Sequence, residues 1–298
     1  MTIFFQVVLP VLLIFLSGYG IQKWKKLNIK ALSTVAIYIF TPMLVFQTFY
    51  PAELNKQYGI MVIFSILLLI AMILVNKIYC RIKNYEPSVE SGLVLSTAFM
   101  NSGNYGAPII LFAYGQIGFA YSVTFLVLQA IIMNFFGIYY AARGKAGIKY
   151  AIKSVFEMPP TYAVIIALIL NIFEVNVPTN ILSAIDLLAP ATIPLVMVIL
   201  GMQLAEIKLG HMEWDKISFG VLTRLFLSPL VAWGIVSLFP MEPLLRNVLI
   251  LSAAMPSAAT TVMYAVQYDC EPDLVSSITL ITTLVSIVTI TLLLFILG

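Results

Sequence analysis

Apolar windows of about 20 residues, separated by short polar connections, cover nearly the whole chain. A helix crossing the hydrocarbon core needs about 20 such residues. The pattern predicts ten spans: 2–22, 31–49, 57–76, 88–114, 117–142, 155–173, 181–204, 217–239, 244–266 and 273–297. The connections leave no room for a soluble catalytic module, so the fold class is an all-α polytopic membrane protein. The first window has no basic stretch before it and no small-residue cleavage motif after it, and it reads as a span rather than a removed signal.

Two windows are interrupted at mid-depth. The fourth contains Leu95 to Phe112, L-S-T-A-F-M-N-S-G-N-Y-G-A-P-I-I-L-F, in which Asn101, Gly103, Asn104, Gly106 and Pro108 fall within eight residues. The ninth contains L-S-A-A-M-P-S-A-A-T-T, with Pro256 between Met255 and Ser257. The bilayer interior has no water to satisfy freed N–H and C=O groups, so a break there must face protein or a wet cavity. One proline alone predicts only a kink. Paired breaks in matching positions of two halves point to a transporter's substrate site.

Charge sets the orientation. Lys23, Lys25, Lys26 and Lys30 lie in the first connection, Lys77, Arg81 and Lys83 in the third, Arg143, Lys145, Lys149 and Lys153 in the fifth, and Lys208 and Lys216 in the seventh. The other connections hold only Lys56 and Arg246, so the odd connections are cytoplasmic and both termini extracytoplasmic. Five spans per half then make 1–150 and 151–298 two inverted five-helix repeats. Thr41-Pro42-Met43-Leu44 in span 2 occupies the place of Ile193-Pro194-Leu195-Val196 in span 7. In both broken spans the half after the break begins near mid-membrane. Two helix N-termini then converge, with Asn104 and Ser257 as caps, and such a place attracts an anion without any basic side chain.

Composition narrows the chemistry. The chain is 61% hydrophobic and 10% charged, far from the roughly 25% charge of soluble domains. A net charge of +3 does not point to nucleic acid. Two distant cysteines, Cys80 and Cys270, and a single histidine, His211, give neither a disulfide framework nor a metal cluster. The chain also lacks the Asp-rich motif or histidine base of an intramembrane transferase, so it reads as a non-enzyme with no cofactor and no metal. His211, beside Glu213 and Asp215, reads as solvated surface.

The motifs, taken in order, resemble the auxin efflux carrier family, which includes the plant PIN-FORMED carriers and many prokaryotic permeases. They are Asn101 followed by Gly106-Ala107-Pro108, then Tyr114-Gly115; a proline opening span 6 (Pro159 or Pro160); Ile193-Pro194-Leu195 with Gly201-Met202 and Leu204-Ala205; Arg224 to Leu230; and Ala254-Met255-Pro256-Ser257 with Tyr268-Asp269. The resemblance covers essentially the whole chain. It implies the fold shared with bile-acid/sodium symporters: a scaffold of helices 1, 2, 6 and 7, a transport unit of helices 3–5 and 8–10, and helices 4 and 9 crossing at their prolines. It further implies a homodimer in the plasma membrane and an elevator-like secondary transporter of a small organic carboxylate such as malate or malonate. The alternatives are a sodium symporter of a larger amphipathic acid and a carrier of an auxin-like aromatic acid.

The substrate-binding candidates are Asn101, Asn104, Tyr105, Pro108, Pro256, Ser257 and Arg224. Arg224, within span 8, reads either as the partner of a second carboxylate or as a side chain snorkelling to the inner headgroups. Coupling to H⁺ or Na⁺ stays open. No acidic residue sits at mid-depth in spans 3–5 or 8–10, unlike the charged third span of plant members, which speaks against protons. A weak sodium site would draw on Asn101, Gln129 and Met255. Gln129 and Asn134 read equally as cavity lining and as helix–helix hydrogen bonds. Asp186, Glu90 and Glu157 read as solvated or capping residues at span ends.

Overall fold

The computed structural model describes residues 4–52, 56–142, 156–207 and 213–297. Arg143, Lys145, Lys149, Lys153, Lys208, His211 and the repeat boundary at 150/151 lie outside them. Helices in chain order are α1 (Phe4–Lys25), α2 (Ile29–Phe49), α3 (Lys56–Lys83), α4 (Pro87–Ala98), α5 (Ser102–Ala142), α6 (Pro159–Ile172), α7 (Thr179–Glu206) and α8 (Trp214–Val236). They end with α9 (Pro243–Ala253), α10 (Ala259–Tyr268) and α11 (Pro272–Leu297). Seven of these, α1, α2, α3, α5, α7, α8 and α11, are long and apolar enough to cross a membrane, and α6 and α9 are shorter apolar helices. Predicted spans 4 and 5 differ from expectation: the second half of one runs into the other as the 41-residue α5. The boundary between them is Gly115, at φ +65° and ψ −162°, a conformation open essentially to glycine alone.

Proline sets the local shape of several helices. Five-residue wide turns at Phe4–Val8, Ala36–Phe40, Ser102–Gly106 and Thr223–Leu227 each end two residues before a proline: Pro10, Pro42, Pro108 and Pro229. Proline has no backbone N–H to donate, and its ring clashes with the carbonyl four residues back. Reaching back one residue further relieves the clash, as in the bonds from Thr41 N–H to the Ala36 carbonyl and from Ser228 N–H to the Thr223 carbonyl.

Two helix pairs form one block. α1 and α7 run parallel, with Gln22 Nε2 donating to Glu206 Oε1 at 2.7 Å and Lys23 Nζ to the Ala205 carbonyl at 2.9 Å. Their backbones touch where glycine permits it: a Cβ on Gly201 would lie 2.0 Å from the Phe15 carbonyl oxygen, and one on Gly18 would lie 2.1 Å from that of Val198. Small residues at such crossings are a common membrane packing device. In the second pair, Asn171 Nδ2 donates to the Tyr50 carbonyl at 2.7 Å and joins the ends of α2 and α6. Thr192 Oγ1, bonded to the Phe40 carbonyl at 3.0 Å, ties the pairs together. The remaining helices pack around the two breaks, with Asn76 Nδ2 on Thr97 Oγ1 at 2.7 Å linking α3 to α4, and Ser88 Oγ on Glu271 at 2.8 Å linking α4 to the start of α11.

Candidate functional site

α4 ends at Ala98 and α9 at Ala253, and the chain then runs extended through Phe99–Asn101 and Met255–Ala258 before α5 and α10 begin. These two short segments meet as an antiparallel bridge between Met100 and Ser257. Asn101 N–H donates to the Pro256 carbonyl at 2.8 Å, and Ala258 N–H to the Phe99 carbonyl at 3.0 Å. The Ser257 hydroxyl donates to the Ser96 carbonyl, and its N–H donates to Thr282 Oγ1 at 3.3 Å. Each break thus satisfies the backbone groups freed by the other, which is how non-helical chain survives away from water.

One side of this crossover opens into a cavity of about 460 Å³. Asn101 with Ser102, Gly103 and Asn104 at the N-terminus of α5, and Ala258 with Thr260 at the N-terminus of α10, all line it. Both helix N-termini therefore face one space, each with first-turn N–H groups that have no intrahelical acceptor. Asn101 adds a second donor: its side chain is 6% exposed and its Nδ2 has no partner in the protein. Gln129 and Asn134 of α5, Gln203 of α7 and Tyr264 of α10 add to the polar lining, with Ser33, Thr41 and Thr192. Tyr264 OH donates to Asn134 Oδ1 at 2.8 Å, and Asn134 Nδ2 donates to the Ala130 carbonyl at 2.8 Å. Most other lining groups are apolar, among them Leu44, Phe99, Val127, Met133, Ile193 and Met263. Met158 and Glu157 also line the cavity. Glu157 is the one charged group among the described lining residues.

The remaining sequence candidates lie behind this surface. Tyr105 is 1% exposed, its ring tilted against that of Phe15, with its OH accepting from Ser286 Oγ at 2.9 Å. Pro108, Pro256, Ser257 and Met255 are buried at the crossover without lining the cavity. Met255 packs on Gly106, whose added Cβ would sit 3.1 Å from Met255 Cγ. Neither proposed cap performs that role. Asn104 is within the first turn of α5, and the Ser257 hydroxyl turns back to α4. Arg224 neither reaches headgroups nor lines the cavity: it is fully buried and bonded to Thr97, Ser228 and Ala253. Asp186 accepts from Gln47 Nε2 at 2.7 Å at an exposed helix end. Gln203 and Tyr264 are additions from the structure. Gln203 had a signal, a lone amide inside the Gly-Met-Gln-Leu-Ala stretch of an apolar window, whereas Tyr264 reads in sequence like any aromatic residue of a span.

A family described as membrane transport protein matches residues 3–155 and 145–294. The chain belongs to that family, the auxin efflux carriers. It is 29% identical over 290 residues to an "uncharacterized transporter" of Methanothermobacter thermautotrophicus, with 95% of each chain covered. It is also 30% identical over 302 aligned positions to an "uncharacterized transporter" of Methanocaldococcus jannaschii, with 96% of each covered. This is a multi-pass membrane protein of a transporter family.

Proposed function

We propose that this auxin efflux carrier family member is a secondary transporter of an organic carboxylate, bound at the crossover and carried by elevator-like alternating access. The observation that carries the reading is the convergence of two helix N-termini and the unpartnered Asn101 amide on a single cavity. An N-terminus favours negative charge through its free N–H groups and dipole, and an orphaned buried donor asks for an acceptor. Carboxylate oxygens supply that acceptor.

The lining speaks for one negative charge on an apolar body. Arg224, the natural partner of a second carboxylate, is engaged elsewhere, and the one charged group among the described lining residues, Glu157, is acidic. An aromatic or branched monocarboxylate fits this surface better than malate or malonate. In the elevator reading, α1, α2, α6 and α7 are the scaffold, and the helices around the crossover are the moving unit. Ten spans in two inverted repeats follow if α4 with the first part of α5, and α9 with α10, each count as one broken span. With the basic connections cytoplasmic, Ser33, Glu157 and Met158 put one end of the cavity near the inner face. Sodium at Asn101 and Gln129 is the second reading, because both amides border the cavity.

The test is uptake of radiolabelled phenylacetate and L-malate into proteoliposomes, with and without sodium and pH gradients. Saturable phenylacetate uptake, abolished by Asn101→Ala in protein that elutes and melts like wild type, is expected. Transport unaffected by Asn101→Ala would overturn the crossover site, and preferential malate uptake would overturn the monoanion reading.

A further inference from the structure

Arg224 is the one charged side chain buried to this depth among the described residues. No carboxylate comes within ion-pairing distance of it among those residues. Its Nη1 donates to the Thr97 carbonyl at 2.6 Å, and its Nη2 donates to Ser228 Oγ at 2.5 Å and to the Ala253 carbonyl. Ser228 Oγ also donates to the Ala253 carbonyl at 2.9 Å. Thr97 lies in the last turn of α4 and Ala253 is the last residue of α9. The guanidinium therefore clasps the C-terminal ends of both helices that stop at the crossover, and a wide turn at Thr223–Leu227 carries it there.

Resting on the crossover-anion reading above, we infer that Arg224 sets the affinity of the site for negative charge without touching the ligand. Each helix end carries about half an elementary charge, positive at N-termini and negative at C-termini. The N-terminal ends of α5 and α10 present about +1 to the cavity, and the C-terminal ends of α4 and α9 place about −1 just behind it. Unopposed, the two contributions nearly cancel for an anion at the break. Arg224 neutralises the negative pair and leaves the positive pair uncompensated. Asn101 lies four residues beyond Thr97, at most roughly 14 Å along the chain, and the hydrogen bond from the guanidinium to the Thr97 carbonyl extends this to roughly 17 Å at most. At an effective dielectric of about 20, a unit charge at that range changes affinity roughly five- to tenfold.

The experiment is binding of phenylacetate and of its neutral isostere phenylacetamide to the purified full chain in nanodiscs, by calorimetry. Wild type, Arg224→Lys, Arg224→Gln and Ser228→Asp are compared. Ser228→Asp puts a carboxylate against the guanidinium and cancels its charge with the arginine still present, so it serves even if Arg224→Gln fails to fold. Loss of five- to tenfold in phenylacetate affinity in Arg224→Gln and Ser228→Asp is expected, with phenylacetamide unchanged and Arg224→Lys close to wild type. Equal weakening of acid and amide would reduce Arg224 to a structural clasp and overturn the inference while leaving the crossover site standing. Unchanged acid affinity in the charge-neutralised variants would overturn it too. Wild-type protein that binds neither compound would overturn the site itself, and the inference with it.

Discussion

Substituting Gly201 by alanine tests the close approach of α1 and α7. The added Cβ would lie 2.0 Å from the Phe15 carbonyl oxygen, 2.8 Å from its carbon and 3.0 Å from the Tyr19 nitrogen. All three are backbone atoms, so no rotamer change makes room. Ordinary contact begins near 3.4 Å, and α1 and α7 must separate by about 1.4 Å at this point. A gap of about 1 Å already forfeits up to half of the dispersion energy of the atoms along a contact, and overpacking of this kind costs about 3 kcal/mol at the upper end of the usual range. Alanine's helix propensity returns about 1 kcal/mol, for a net loss of about 2 kcal/mol. That corresponds to a fall of about 3 °C in melting temperature for a chain of this length, measured by intrinsic fluorescence in detergent. Gly20→Ala and Gly59→Ala are the internal controls, because nothing lies within 4 Å of a Cβ at either site. Both should match wild type or gain up to about 1 kcal/mol. If Gly201→Ala melts with these controls, α1 and α7 do not approach as described and the reasoning fails.

Gly115→Ala should destabilise by about 1–3 kcal/mol through backbone strain alone, since φ +65° and ψ −162° exclude a side chain conformationally while the space around is open; a melting temperature equal to that of wild type would refute it. Ser257→Ala removes the hydroxyl that reaches the buried Ser96 carbonyl and should cost about 1–3 kcal/mol in the same assay. Ala130→Trp fills the cavity that Ala130 lines and should abolish phenylacetate binding with the melting temperature held near that of wild type; undiminished binding would place the ligand elsewhere.

The apolar windows, the basic connections and the two interruptions are properties of the chain itself, and they determined the membrane class and the position of the breaks. Bilayer chemistry makes such features legible: a span must be apolar along its whole length, so Asn101, Pro108 and Pro256 stand out against it. Tertiary structure decided what each polar group does there. Asn101 faces the cavity, yet Tyr105, four residues on, turns to Ser286, and sequence spacing does not distinguish the two when both breaks distort the helix. Arg224 could have met a ligand, a lipid or the protein. It meets the carbonyls of Thr97 and Ala253 because those two helix ends, 156 positions apart in the chain, stop at the same place. Tyr264 and Gln203 join the site only when α10 and α7 are brought beside α5. A local pattern records where a helix must break; which partner a side chain then finds depends on contacts between residues far apart in sequence.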